Sequence, residues 1–124
     1  MTTVLIVDDE PDIRDLLRIV LERADFTVLD VGNGAEALEL CKEKAPDILL
    51  TDLLMPRMSG ADLLTALAEK GVSCKVIVMS GGSLGSDPTA EMSKVTKMGV
   101  DDVIAKPFNP ADVVTACQKV ASKL

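Results

Sequence analysis

VLIVDDEPDIRDLLRIVL, residues 4–21, changes period halfway along, and that change decides the fold. Val4 to Val7 is an unbroken aliphatic run closed by two acids. A run so short and so apolar suits a strand buried on both faces. Pro11 then opens a segment whose apolar residues, Ile13, Leu16, Leu17, Val20 and Leu21, recur at helical spacing. Proline is favoured in the first turn of a helix, where its missing N–H costs nothing. A buried strand followed directly by an amphipathic helix is the first half of a parallel strand–helix–strand unit.

Working outward, the same alternation recurs to the end of the chain. Phe26 to Val31 reads as a second strand and Gly32-Asn33-Gly34 as a turn. Ala37, Leu38, Cys41 and Ala45 mark the inner stripe of a second helix. Ile48 to Thr51 is a third strand, followed by a loop from Leu53 to Gly60. A third helix turns Leu63, Leu64, Leu67 and Ala68 inward and stops near Gly71. Val76 to Met79 is a fourth strand. Gly81 to Ser86 forms a loop, and Asp87-Pro88 starts a fourth helix carrying Met92, Val95 and Met98. Val103 to Ala105 is a fifth strand. Asn109 and Pro110 cap a last helix with Val113, Cys117, Val120 and Leu124 on one face. Five such units predict an α/β fold: a flavodoxin-like five-stranded parallel sheet, order 2-1-3-4-5, with helices on both faces. No repeat, linker or low-complexity tract interrupts residues 1–124, which form one domain.

Composition agrees. Of 124 residues, 48% are hydrophobic but only 2% aromatic, so the core must be aliphatic. The formal charge of −7, from 20 acidic and 13 basic side chains, repels polyphosphate backbones and argues against direct nucleic-acid binding. Cys41, Cys74 and Cys117 have no metal-ligand spacing, and the absence of histidine from the chain argues against a zinc site. They read as reduced, partly buried thiols. Without a basic leader or a long apolar run, membrane insertion is not expected, and a cytoplasmic location is expected. The terminal Ser122-Lys123-Leu124 matches a peroxisomal address, as three residues easily do by chance.

In folds of this kind, ligands sit beyond the carboxyl ends of the strands, where strand order reverses. The residues closing the strands are Asp8 and Asp9, Asp52, Ser80 and Lys106. Each has an ordinary reading: an acid before proline often caps a helix, a serine often turns a chain, and a lysine is often solvated. Taken together they place three carboxylates in one crevice, with a hydroxyl and an ammonium opposite. Such carboxylates repel, so the site needs a cation or must hold a proton. Mg²⁺ suits hard oxygen donors, and an aspartate can act as a covalent nucleophile toward phosphorus. Asp30, Asp101 and Asp102 read as exposed acids, and Met55, Met58, Met79, Met92 and Met98 as core filler.

The run VLIVDDEPDIR, the block LLTDLLMPRMSG (residues 49–60), Ser80 and Lys106-Pro107-Phe108 together resemble a response-regulator receiver domain of two-component signalling, of the chemotaxis-regulator kind. The likeness covers essentially the whole chain; Asp52 follows Asp9 by 43 positions and Ser80 follows Asp52 by 28. The resemblance implies that Asp52 is the phosphoacceptor, Asp9 the main Mg²⁺ ligand and Asp8 an acid acting largely through water. The backbone carbonyl of Leu54 would complete the metal site. Ser80 would be the switch hydroxyl, Lys106 the phosphate-contacting lysine, and the Lys106-Pro107 bond cis. The implied partners are a sensor histidine kinase or phosphotransfer protein as donor and a downstream protein target. A monomer or weak dimer is expected.

Three departures stand out. Val103 occupies the place of the usual aromatic, so output is expected through the loop or the fourth helix. Lys106 follows Ser80 by 26 positions, a few more than the family pattern, with the surplus in residues 81–86. Leu54 and Gly82 stand at the water-positioning places, which implies slow self-dephosphorylation. A Mg²⁺-dependent phosphohydrolase shares the nucleophile but needs an acid two residues on, where Leu54 stands. A degenerate, interaction-only receiver would lack a site residue, and none is missing.

Overall fold

The computed structural model describes residues 1–81 and 89–124. Among these residues ten elements alternate: β1 (Thr3–Val7), α1 (Pro11–Arg23), β2 (Thr27–Val31), α2 (Gly34–Glu43), β3 (Ile48–Asp52), α3 (Gly60–Glu69), β4 (Lys75–Ser80), α4 (Thr89–Lys97), β5 (Asp102–Ala105) and α5 (Pro110–Ala121). The strands form one parallel sheet in the order β2-β1-β3-β4-β5, as the alternation predicts. The expected start of α4 at Asp87-Pro88, and residues 82–86 of the preceding loop, lie outside the described residues.

Strand periodicity sorts the core into two layers. Val4, Ile6, Ile48, Leu50, Ile77 and Met79 face α1 and α5, where they meet Leu17, Leu21, Val113 and Cys117. Leu5, Val7, Leu49 and Val78 face the other side and pack on Ala37, Leu63, Leu67 and Val95. Both faces of β1 and β3 are therefore buried, which is why their sequences are continuous apolar runs rather than alternating ones. Each fully buried aliphatic side chain contributes roughly 1.5–3 kcal/mol of transfer free energy.

This layering creates the site. The chain leaves β1 toward α1 on one face and leaves β3 toward α3 on the other. The two loops part, and the carboxyl ends of adjacent strands β1 and β3 open into a crevice.

Several boundaries differ from the sequence expectation for local reasons. Gly34 is not a turn residue but the first residue of α2, because Asn33 caps that helix by accepting from the Glu36 N–H at 2.9 Å. Ala45 is exposed and outside α2: Pro46 disfavours helical backbone in the residue before it. Leu16, Ala68, Met98 and Leu124 also prove exposed; Met98 and Leu124 lie past the ends of α4 and α5. Asn109 caps α5 as expected, accepting from the Ala111 N–H. Asp30 is not simply a solvated acid, since it pairs with both Arg14 and Arg18.

Candidate functional site

Asp52 is the last residue of β3 and only 5% exposed. Asp8, directly after β1, is fully buried, whereas Asp9 is exposed. One carboxylate oxygen from each of the three lies within 4.8 Å of the others. Lys106, directly after β5, reaches across: its Nζ donates to Asp8 Oδ2 at 3.0 Å and to Asp52 Oδ2 at 3.1 Å. Asp8 Oδ1 accepts from the Glu10 N–H at 2.9 Å, so Asp8 both supports the entry into α1 and faces Lys106. The helix-capping expectation for this acid is not met: the N-cap of α1 is Glu10, without a side-chain cap, and the N–H that the Asp8 carboxylate accepts from lies just before the helix.

Ser80 ends β4, half-buried, and its carbonyl accepts the Lys106 N–H at 2.7 Å. That bond ties the backbone of the lysine to the strand end beside Asp52's. Leu54 lines the same cavity as Asp9, Asp52 and Lys106, a space of about 410 Å³ walled by Ile13, Leu16, Pro107 and Phe108. The Lys106-Pro107 bond is cis, as the resemblance implied. Val103 is 40% exposed on the edge strand.

The electrostatics follow from burial and crowding. Desolvation raises the pKa of Asp52 from 3.8 to about 6; Lys106 opposes the rise and the charge on Asp8 adds to it. For Lys106, burial works against the charged form, but the hydrogen bonds and charges of Asp8 and Asp52 outweigh it and lift the pKa. Among the described residues the donor set is three hard oxygens with a single ammonium to balance them, which fits a small divalent cation such as Mg²⁺. The cysteines are free and take no part: burial lifts all three, Cys74 to about 11 and Cys117 to about 12, so they remain neutral thiols.

Two glycines important to this geometry were not singled out as site residues in the sequence, Gly60 entering only as the end of a quoted motif and Gly81 as the start of a loop. A Cβ on Gly81 would lie 2.2 Å from Lys106 Cβ, so β4 and the lysine pack too closely there for any side chain. A Cβ on Gly60 would lie 2.6 Å from the Asp52 carbonyl oxygen, which already accepts from Thr51 Oγ1 at 3.0 Å. The Gly60 N–H also donates to Leu53 O at 2.8 Å, locking the start of α3 to the backbone after Asp52. Gly60→Ala is expected to destabilise the protein by about 1–3 kcal/mol, despite alanine's better helix propensity, because the obstacle is backbone. Urea melts followed by circular dichroism test this, and an unchanged midpoint would mean that the loop yields without cost. Beyond Gly60, Ser59 caps α3 and its Oγ donates to Glu91 Oε2 of α4 at 2.9 Å, linking the Asp52 loop to α4.

Comparison with known proteins agrees with this arrangement. The sequence model of the response regulator receiver domain matches residues 4–118. The chain is 38% identical over 119 residues to the chemotaxis protein CheY of Thermotoga maritima, covering 95% of this chain and 96% of that protein. It is 33% identical over 116 residues to the response regulator GtcR of Aneurinibacillus migulanus, covering 94% of this chain but 46% of GtcR. It therefore spans nearly all of one relative and about half of the other. Among solved structures, FixJ-N superposes with a TM-score of 0.85 at 31% identity, covering 100% of this chain and 96% of that one. A receiver domain protein from Clostridium thermocellum gives 0.86 at 25%, covering 99% and 96%. Sheet order, the acid cluster at the switch point and these likenesses lead to one conclusion: the chain belongs to the response regulator receiver domain family.

Proposed function

We propose that this receiver domain is a switch that accepts a phosphoryl group on Asp52 from a phosphohistidine of a sensor histidine kinase or phosphotransfer protein. The observation that carries the reading is Lys106 Nζ, held between Asp52 and Asp8 at the wall of an open cavity that Asp9 also lines. An Asp52 carboxylate oxygen attacks phosphorus; the P–N bond breaks and the imidazole leaves with the electron pair. With a pKa of about 6, Asp52 is mostly ionised at neutral pH and able to attack. Lys106 then faces the oxygens on which charge is redistributed. Ser80, at the end of the neighbouring strand, donates its hydroxyl to the bound phosphoryl group. Asp9, Asp8, Asp52 and the Leu54 carbonyl would hold Mg²⁺, which supplies charge neutralisation on the phosphoryl oxygens when bound.

Phosphorylation favours one of two pre-existing conformations and so controls a downstream protein. The link from Asp52 through Gly60 and Ser59 to Glu91 supports α4 as the responding element. The same reading puts the chain in the cytoplasm with its donor. Leu54 beside Asp52 offers no polar group to orient an attacking water, which supports slow loss of the phosphoryl group. It also weighs against the phosphohydrolase alternative.

Intact mass after incubation with a small phosphodonor tests the reading. One phosphoryl adduct is expected on the wild type with Mg²⁺, none without it and none on Asp52→Asn. The adduct should outlast minutes in buffer. An adduct surviving on Asp52→Asn would refute the acceptor, and decay within seconds would refute the slow loss.

A further inference from the structure

Arg14 plays no part in the chemistry above, yet it is bound directly to one end of it. The β1–β2 ladder weakens at its last rung, where the Asp8 N–H reaches Val31 O only at 3.3 Å. Beyond that rung the Asp8 carbonyl accepts from Arg14 Nη1 at 2.7 Å. This carbonyl belongs to the planar peptide unit joining Asp8 to Asp9, so holding it sets the direction in which Asp9 leaves the strand. The guanidinium is itself held in place. Its Nε donates to Asp30 Oδ1 at 3.2 Å, and Asp30 Oδ2 is gripped by Arg18 through Nε at 2.9 Å and through Nη2. A Cβ on Gly32 would come within 3.2 Å of Arg14 Nη1, so that glycine leaves the space the fork occupies.

We propose that Arg14 is a positioning residue for the Asp8–Asp9 pair and thereby sets the affinity of the site for divalent cations. The inference rests on the reading of those two acids as cation ligands. Simple electrostatics predicts the opposite outcome on mutation, because removing a positive charge near a cation site should tighten binding. Loss of orientation loosens it, as mutation of groups that orient metal ligands typically does, by about tenfold or more. The sign therefore separates the two effects.

Binding of Mn²⁺ to the full chain, followed by the electron paramagnetic resonance of the free ion, is the test, with circular dichroism melts on every variant. Arg14→Gln is expected to weaken Mn²⁺ binding about tenfold. Arg14→Lys, which keeps the charge but cannot reach both Asp8 and Asp30, should fall between it and the wild type. Arg18→Gln disturbs the same Asp30 clamp without touching Asp8 and should bind as the wild type does. Wild-type affinity in both Arg14 variants overturns the proposal, and so does equal weakening in Arg18→Gln, which would mark a merely structural clamp. If Arg14→Gln does not fold, Arg14→Lys decides. Should the wild type bind no Mn²⁺, or Asp9→Asn bind it equally well, the cation site itself is wrong and the role of Arg14 falls with it.

Discussion

Lys106→Met is expected to destabilise the cation-free protein by about 3 kcal/mol at neutral pH, the low end for removing one partner from a buried ion pair. Among the described residues Lys106 is the one ammonium facing Asp8 and Asp52, and its side chain is 16% exposed against 0% and 7% for its partners. Methionine keeps most of the packing volume, so the loss is chiefly electrostatic. Two buried carboxylates would then face each other without compensation. The cost has a ceiling, because Asp52 already holds a proton up to a pH of about 6 and would hold it higher still without the lysine. The deficit should therefore shrink as pH falls below 6, and Mg²⁺ should partly restore stability at neutral pH. Since the chain has no Trp or Tyr, urea denaturation is followed by far-ultraviolet circular dichroism. A deficit independent of pH would mean that packing, not charge, was lost.

Asp52→Asn is expected to do the reverse and stabilise the cation-free protein at neutral pH while abolishing phosphorylation. The folded-state pKa of Asp52, about 6, lies above its ordinary 3.8, with desolvation as the largest cause. A carboxyl group shifted upward binds its proton more tightly in the folded state than in the unfolded one. Its contribution is thus fully present below pH 3.8 and is lost as pH rises through 6. Asparagine is neutral throughout, and Lys106 retains Asp8 as a partner. The variant and wild type should be closest in acid and diverge through this window, by about 1–2 kcal/mol at neutral pH once residual contact with water is allowed for. Adding Mg²⁺ should reverse the order, since the cation favours the carboxylate. Parallel stability curves across the window would show that Asp52 titrates normally.

Much of this molecule is legible without coordinates because its signals are local. Four aliphatics ended by acids, then proline, mark β1, the edge of the crevice and the start of α1 within the eight residues from Val4 to Pro11. The sheet order follows from the repeated alternation and the handedness of crossovers. Asp8, Asp9, Asp52, Ser80 and Lys106 could be nominated because each closes a strand, a position that the pattern alone reveals. Errors fell at helix ends, with Ala45 before Pro46 and Met98 and Leu124 past their helices, and inside two helices, where Leu16 and Ala68 are exposed.

What the sequence determined by itself was the architecture and which polar residues close the strands, since periodicity and strand ends are properties of neighbours along the chain. Only the tertiary structure decided how those residues are held. Arg14 meets the Asp8 carbonyl and Asp30, Gly81 leaves room for Lys106, and Gly60 abuts the Asp52 carbonyl. Each of these last two contacts is an exclusion of volume between segments brought together by the fold, and a glycine read along the chain gives no sign of which segment it meets. Asp30 shows the same limit for charge. In the sequence it is one acid among twenty, and only the pairing of β2 with β1, which sets it against α1, supplies its two arginines.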